Sequence, residues 1–196
     1  MKARQNPFAR HRTEKLSYRL PPGTTWAGLL ERLKIQGNVG AIVGRHGAGK
    51  STLLEEFQPH LRKLGFQPHL IRLTNETSMR EKEALPGVLR QFVKPAFILL
   101  DGAEQLSTRH WLPVRSAAGV AAGFLVTVHR VSRLPTLFEC DTSSVLLENL
   151  VKELSGAPLP IERATDLLAR HFGNVRDCLH ELYEDWAQRR KAKLAA

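Results

Sequence analysis

Short apolar runs alternate along the first two thirds of the chain with segments whose apolar residues recur every three or four positions. Short continuous apolar runs indicate buried strands. Apolar residues that recur every three or four positions indicate amphipathic helices. Strands that alternate with helices predict an α/β fold with a doubly wound parallel sheet. The strand-like runs cover residues 39–43, 69–73, 96–101, 124–128 and 134–140.

The strand signal disappears after Cys140, and helical spacing takes over. Pro160 opens one amphipathic segment, which Gly173 ends, and Asn174 can cap the next helix. We therefore expect a small helical subdomain after the sheet. The predicted organisation is a lead-in with a short helix over residues 1–36, an α/β core over 37–141, a helical lid over 142–190 and a basic tail over 191–196.

The helix between the second and third strands is predicted to be weak. A largely polar stretch covers positions 74–83, and Pro86-Gly87 lies inside the helical segment. Proline inside a helix removes a backbone hydrogen bond, and glycine lowers helix stability. We therefore expect this helix to start late or to break at Pro86.

The stretch between the first strand and the following helix carries the clearest chemical signal. It fits the phosphate-binding loop pattern, in which two glycines separated by four residues are followed by Lys and by Ser or Thr. Glycine permits backbone conformations that let amide groups converge on phosphate oxygens at the positive end of a helix. The predicted nucleotide contacts are Gly44, Arg45, His46, Gly47, Ala48, Gly49, Lys50, Ser51 and Thr52.

Three residues have predicted chemical roles at this site, two of them in the loop and one at the end of the third strand. Lys50 would neutralise the β- and γ-phosphates, and the Ser51 hydroxyl would ligate Mg²⁺. Asp101 closes the buried third strand and would hold the metal through water opposite Ser51. Its alternative role is a strand-end carboxylate that caps a turn. The predicted cofactors are ATP and Mg²⁺.

Hydrolysis also needs a group that orients the attacking water. The residue after Asp101 is Gly102, and the nearest carboxylate is Glu104. Glu104 is therefore the candidate base. The alternative is an ordinary surface glutamate.

Two arginines are candidates for contact with the γ-phosphate. At the end of the fourth strand, Thr127, His129 and Arg130 could all face the γ-phosphate, and the charge of Arg130 suits phosphate best. The alternative is a plain basic loop. Arg176 lies in the first turn of a helix, where a cation opposes the macrodipole, so it either projects onto the nucleotide or is offset by Asp177.

Upstream of the loop, Tyr18 and Trp26 are the aromatic residues that could contact an adenine base. An ordinary role in the core is the alternative for both.

The net charge of +10 is concentrated in the two tails. Residues 1–19 hold six Lys or Arg against one Glu, and residues 189–193 hold four more cations. This distribution is compatible with contact to DNA or RNA, because each neutralised phosphate releases counterions. The alternative is a pair of solvated tails that keep the protein soluble.

The only two cysteines, Cys140 and Cys178, lie far apart and beside no histidine cluster, so disulfide scaffolding and zinc are not expected. No apolar run reaches the length that spans a bilayer, and no secretory signal follows the basic start. We expect a cytoplasmic protein without a membrane partner.

Taken together, these segments resemble the AAA+ and STAND ATPases. Gly44–Thr52 is similar to Walker A, Phe97–Asp101 to Walker B, Val126–Arg130 to the sensor-1 strand and Gly173–Arg176 to the sensor-2 motif. The chain is also similar to small bacterial ATP-binding proteins of planctomycete type with the same Asn-Pro-Phe start. The resemblance implies a sheet ordered 5-1-4-3-2, a C-terminal lid, MgATP, and assembly with further copies or with a protein client.

The chain departs from that family in three respects, one of which is that its lid is short. Gly102 stands where an acidic residue usually follows the Walker B aspartate, which argues against efficient hydrolysis. No arginine finger is evident, although Arg133 or Arg115 could act from a neighbouring subunit. The sequence therefore predicts an AAA+-like ATPase or nucleotide switch. The alternatives are a small-molecule or nucleotide kinase and a non-hydrolysing ATP-dependent scaffold.

Overall fold

The described part of the chain, residues 5–131 and 134–195 of the computed structural model, contains eight α-helices and five strands. For residues 191–195 only the backbone is described. The strands are β1 (Val39–Gly44), β2 (Gln67–Arg72), β3 (Ala96–Asp101), β4 (Gly123–Val128) and β5 (Thr136–Cys140). The helices are α1 (Arg10–Thr13), α2 (Trp26–Ile35), α3 (Lys50–Lys63), α4 (Met79–Leu89), α5 (Thr108–Ala117), α6 (Ser144–Ser155), α7 (Ile161–Arg170) and α8 (Val175–Ala195).

Two compact units divide the chain. The first, called the sheet unit below, consists of Tyr18–Gly44 and Gly49–Cys140. The second, called the helical unit, consists of the residues up to Ser17, a short segment Arg45–Ala48, and the residues from Asp141 on.

The five strands of the sheet unit form one parallel sheet in the order β2-β3-β4-β1-β5. Read from the β5 edge, this order is 5-1-4-3-2. Because β4 lies between β3 and β1, the carboxyl ends of these three strands meet at one edge of the sheet. In parallel α/β sheets, ligands bind at that edge.

Continuous burial explains why the central strands are apolar throughout. All of β4 and five of the six residues of β3 are buried, while β2, at the edge, is only partly buried. On one face, Ala41 and Val43 share a core with α4 and α5. Ile42 points to the opposite face, where α2 and α3 contact the sheet. The helices on both faces bear out the α/β prediction.

Helix α4 corrects one prediction. It begins early, at Met79, and continues through Pro86 and Gly87 to Leu89. A capping box secures its first turn, because Ser78 and Glu81 exchange hydrogen bonds between side chain and backbone. Leu85 and Leu89 are buried in the core as well. The stabilisation of α4 by the cap and by these buried leucines exceeds the loss of the backbone hydrogen bond that Pro86 cannot donate.

The helical unit has its own hydrophobic core, built from α6, α7 and α8. Ser143 caps α6 by accepting a hydrogen bond from the Leu146 amide. The N-terminal segment joins this core, since Phe8 is buried in it. Asn6 is also buried and donates a hydrogen bond to the Tyr183 carbonyl of α8 at 2.9 Å. The described part of the lead-in thus contains α1 and an ordered anchor.

A polar cluster joins the end of α7 to α8. Glu181 accepts hydrogen bonds from His171 Nε2 at 2.7 Å and from the Arg170 guanidinium at 2.5 Å. The hydrogen bond from His171, followed by the bond and charge of Arg170, lowers the pKa of Glu181.

Substituting Gly123→Ala tests the packing of β4. A Cβ there would lie 2.2 Å from the ring of Phe97, which is fully buried and cannot move aside. We expect a loss of about 1–3 kcal/mol in the free energy of unfolding, measured in urea. The control Gly87→Ala places its Cβ in open space within α4 and should stabilise by about 0.5–1 kcal/mol. Equal effects of the two substitutions would contradict this packing.

Acid should weaken the α7–α8 connection through Glu181. Its pKa is lower in the folded state than in the unfolded state. The carboxylate therefore adds stability above its unfolded pKa, and this stability is lost as the pH falls through the folded pKa. Glu181→Gln should therefore reduce the urea midpoint at neutral pH and lose this difference in acid. Glu184→Gln, an exposed glutamate of the same helix, serves as the control. A pH-independent difference would contradict the assignment.

Candidate functional site

A tight turn connects β1 to α3 over residues 44–50, called the glycine loop below. The strand ends at Gly44 and the helix begins at Lys50, which is only 7% exposed. Gly47 and Gly49 have φ angles of +70° and +83°, in the left-handed region that favours glycine. The strand, loop and helix expected from the sequence are therefore all present.

Close contacts also explain two of the glycines. A Cβ on Gly47 would lie 1.7 Å from Asn174 Oδ1 in the helical unit. Asn174 caps α8, since its Oδ1 accepts hydrogen bonds from the amides of Arg176 and Asp177 at 3.1 and 3.3 Å. A Cβ on Gly49 would lie 3.0 Å from the ring of Tyr18 in the sheet unit.

Within the sheet unit, one oxygen of Asp101 accepts two hydroxyl hydrogen bonds. Ser51 donates to Oδ1 at 3.0 Å, and Thr127 donates to the same oxygen at 2.7 Å. Thr127 also accepts a hydrogen bond from the Gly102 amide at 2.8 Å. The start of α3 and the ends of β3 and β4 are thereby connected through a single carboxylate.

Position 102 has no room for a side chain. Gly102 has a φ of +84°, and a Cβ would lie 2.3 Å from the Leu73 carbonyl oxygen. A backbone atom cannot yield as a flexible side chain would, so the acidic residue of the AAA+ pattern does not fit here. The chain turns instead into a short 3₁₀ helix over Ala103–Gln105, which carries Glu104.

Glu104 lies against the end of β4. His129 Nε2 donates a hydrogen bond to Glu104 Oε1 at 2.9 Å. The His129 side chain is 25% exposed and the Glu104 side chain is 23% exposed. Residue Glu104 as a whole, with its backbone included, is exposed. The candidate base is therefore held in place and still reachable by water.

Arg72 is a member of the site that the sequence analysis missed. It pairs with Asp101 across β2 and β3, and its Nε lies 3.9 Å from Asp101 Oδ2. Its guanidinium also bonds the Glu55 carboxylate of α3 at 2.5 Å. The register between two strands distant in sequence brings Arg72 here, and no local motif signals it.

A buried thiol lies close to the positive charge of Lys50. Burial raises the pKa of Cys140 to about 11, while a hydrogen bond from Tyr18 and the charge of Lys50 act in the opposite direction. Burial likewise raises the pKa of Cys178 to about 11. Both cysteines are free, and neither is a reactive thiolate at neutral pH.

The other candidate residues occupy different places. Arg130 is exposed two residues after the end of β4, and Arg176 is exposed in the first turn of α8. Arg115 lies in the last turn of α5, and Arg133 lies outside the described residues.

Trp26 packs on α3, edge-on to Phe57 and stacked on His60.

Comparisons with known proteins leave the family open. No protein family and no curated protein sequence matches the chain. Among solved structures, the chain is similar to Caenorhabditis elegans PCH-2, at 12% sequence identity and a TM-score of 0.45. The match covers 83% of this chain and 67% of PCH-2. Agreement at this level carries no functional argument, so the AAA+ resemblance stays a prediction.

No helix within residues 5–131 and 134–195 combines the length and the hydropathy that a bilayer crossing requires.

The double hydrogen bond of Thr127 can be tested by Thr127→Val. The buried Gly102 amide and one acceptor site of Asp101 would lose their partner, at a cost of about 1–3 kcal/mol in unfolding free energy. Thr127→Ser keeps the hydroxyl and should retain most of the stability. Urea titrations of both variants measure the difference. Equal stability of the two variants would show that the hydroxyl is not structural.

Proposed function

We propose that this chain binds ATP with Mg²⁺ at the glycine loop and hydrolyses it to ADP and phosphate. The observation that carries the proposal is the hydrogen bond between Ser51 and Asp101, 3.0 Å long, next to the buried Lys50 that begins α3. These residue types in this order suit a triphosphate and its metal ion.

The donor atoms fit Mg²⁺ as the metal. It prefers oxygen ligands and keeps several waters, and it is usually bound by one or two protein groups together with phosphate oxygens. Within the described ranges, no cluster of three His, Cys, Asp or Glu could hold a metal ion by itself. Ser51 would ligate the ion directly and Asp101 through water. When bound, the metal would offset the negative charge of the phosphates.

The chain itself supplies the remaining positive groups. The backbone amides of the glycine loop and the first turn of α3 would donate to the phosphate oxygens, with the helix dipole favouring negative charge there. Lys50 would place its ammonium against the β- and γ-phosphates. Its burial strengthens this interaction, because water screens it less.

Several predictions about this site rest on sequence alone. Arg130 and Arg176 would contact the γ-phosphate, and Arg115 or Arg133 would act on the site of a neighbouring copy. Assembly with further copies, a protein client, and contact with DNA or RNA through the basic tails belong to the same group. Measuring ATP turnover and sedimentation with and without DNA, across a salt series, tests these partners together.

A non-hydrolysing nucleotide-dependent scaffold is the second candidate function. It is favoured by position 102, where the Leu73 carbonyl excludes the acidic side chain that usually activates water. Tight binding of ATP without release of phosphate, at high protein concentration and with DNA added, would select this function.

Lys50→Met tests the nucleotide site. Methionine keeps an unbranched apolar side chain and removes the ammonium, so the loss of a charged hydrogen bond should weaken MgATP binding about 10- to 100-fold. Lys63→Ala, an exposed lysine at the other end of the same helix, is the matched control. Isothermal calorimetry with MgATP gives both affinities. Unchanged affinity of Lys50→Met would reject the site.

A further inference from the structure

The hydrogen bond between Glu104 and His129 assigns a role to a histidine that neither the loop nor the metal site requires. We propose that His129 is the positioning residue for Glu104, and that this pair supplies the water-activating carboxylate which position 102 cannot carry. The inference rests on the proposed ATP hydrolysis and deepens it, because it names the groups that would perform the chemical step.

The first argument is steric. A carboxylate that activates water must lie near the phosphate end of the site, beside Asp101. No side chain fits at position 102, where a Cβ would meet the Leu73 carbonyl oxygen at 2.3 Å. The left-handed conformation of Gly102 lets the chain turn into the 3₁₀ helix instead. Glu104 is then the first carboxylate that the chain presents after Asp101.

The second argument is that two neighbouring contacts join the chain at the end of β4 to the chain at the end of β3. Thr127, the penultimate residue of β4, donates to Asp101 at 2.7 Å. His129, the residue directly after β4, donates to Glu104 at 2.9 Å. Alternate residues of a strand share one side. The end of β4 and the residue that follows it therefore contact both the metal-site carboxylate and the candidate base.

The third argument concerns what a glutamate needs in order to act as a base. Its side chain has three rotatable bonds, and an exposed glutamate on a short turn would sample many positions. The bond to His129 Nε2 selects one of them. A carboxylate has two oxygens with about four acceptor sites, so a bond to His129 is compatible with a further bond from water.

The chemical step can be written in full. The oxygen of a water molecule forms a bond to the γ-phosphorus while the bond from that phosphorus to the β,γ-bridging oxygen breaks, and its electron pair remains on ADP. The carboxylate of Glu104 takes one proton from the water and then passes it to solvent. His129 keeps its own proton throughout, donating a hydrogen bond to Glu104.

Steady-state kinetics of the full chain with MgATP test the proposal. We expect Glu104→Gln to lower kcat by about 10²- to 10⁴-fold with little change in KM. His129→Ala should lower kcat by about 10- to 100-fold, again at constant KM, because misplacing a reacting group has a cost of this size. His129→Gln, whose amide can still donate to Glu104, should recover most of that loss.

Two further comparisons separate positioning from general structure. The double variant Glu104→Gln/His129→Ala should be no slower than Glu104→Gln, because His129 acts only through Glu104. The ion pair between Arg109 and Glu83 provides matched controls, since it lies on α4 and α5 and both members are exposed. Arg109→Ala and Glu83→Gln should leave kcat and KM unchanged.

Each other outcome overturns the inference. Wild-type kcat in His129→Ala, an effect on KM alone, equal losses in the Ala and Gln variants, or additive losses in the double variant would each exclude a positioning role. A wild-type protein that binds MgATP and releases no phosphate would overturn the His129 inference and leave nucleotide binding intact. Failure of the wild-type protein to bind MgATP would reject the proposed function itself. Binding of MgATP by calorimetry shows for each variant that the fold has been retained.

Discussion

The oxygen Oδ1 of Asp101 is the point on which the candidate site depends. It accepts hydrogen bonds from the first turn of α3 and from β4, and its own residue ends β3. The strand order makes this convergence feasible, because β4 lies between β3 and β1 in the sheet. Three chain segments far apart in sequence thereby reach one carboxylate through two short hydrogen bonds, in a part of the protein where the residues are largely shielded from water. Low local polarity strengthens such bonds and makes the loss of either partner costly.

Local patterns predicted most of the sheet unit. The apolar runs gave the strands to within about two residues, because central strands of a parallel sheet are buried on both faces and tolerate few polar residues. The loop from Gly44 to Thr52 was visible for a related reason: its glycines, lysine and serine lie within one short stretch of sequence, so their geometry is encoded locally. Ser51 and Asp101, predicted to act together, are directly hydrogen-bonded.

Features that arise from tertiary contacts could not be predicted. Arg72 reaches Asp101 only through the register of β2 on β3. The continuation of α4 through Pro86 depends on a cap and on two buried leucines whose packing the sequence does not display. Gly102 was read from sequence as a missing acid, yet the physical reason is a carbonyl oxygen contributed by Leu73. The role of Asn174 as a helix cap was predicted, whereas its contact with Gly47 was not.

That last contact has a consequence for how the chain can vary. The amide side chain of Asn174 occupies the volume that any larger residue at position 47 would need, and the same side chain caps the N-terminus of α8. Position 47 and the first turn of a helix more than a hundred residues later are thus interdependent, and neither can be changed alone without disturbing the other. An attempt to transplant this loop into another protein, or to replace it with a variant loop, would have to carry a compatible helix start along with it.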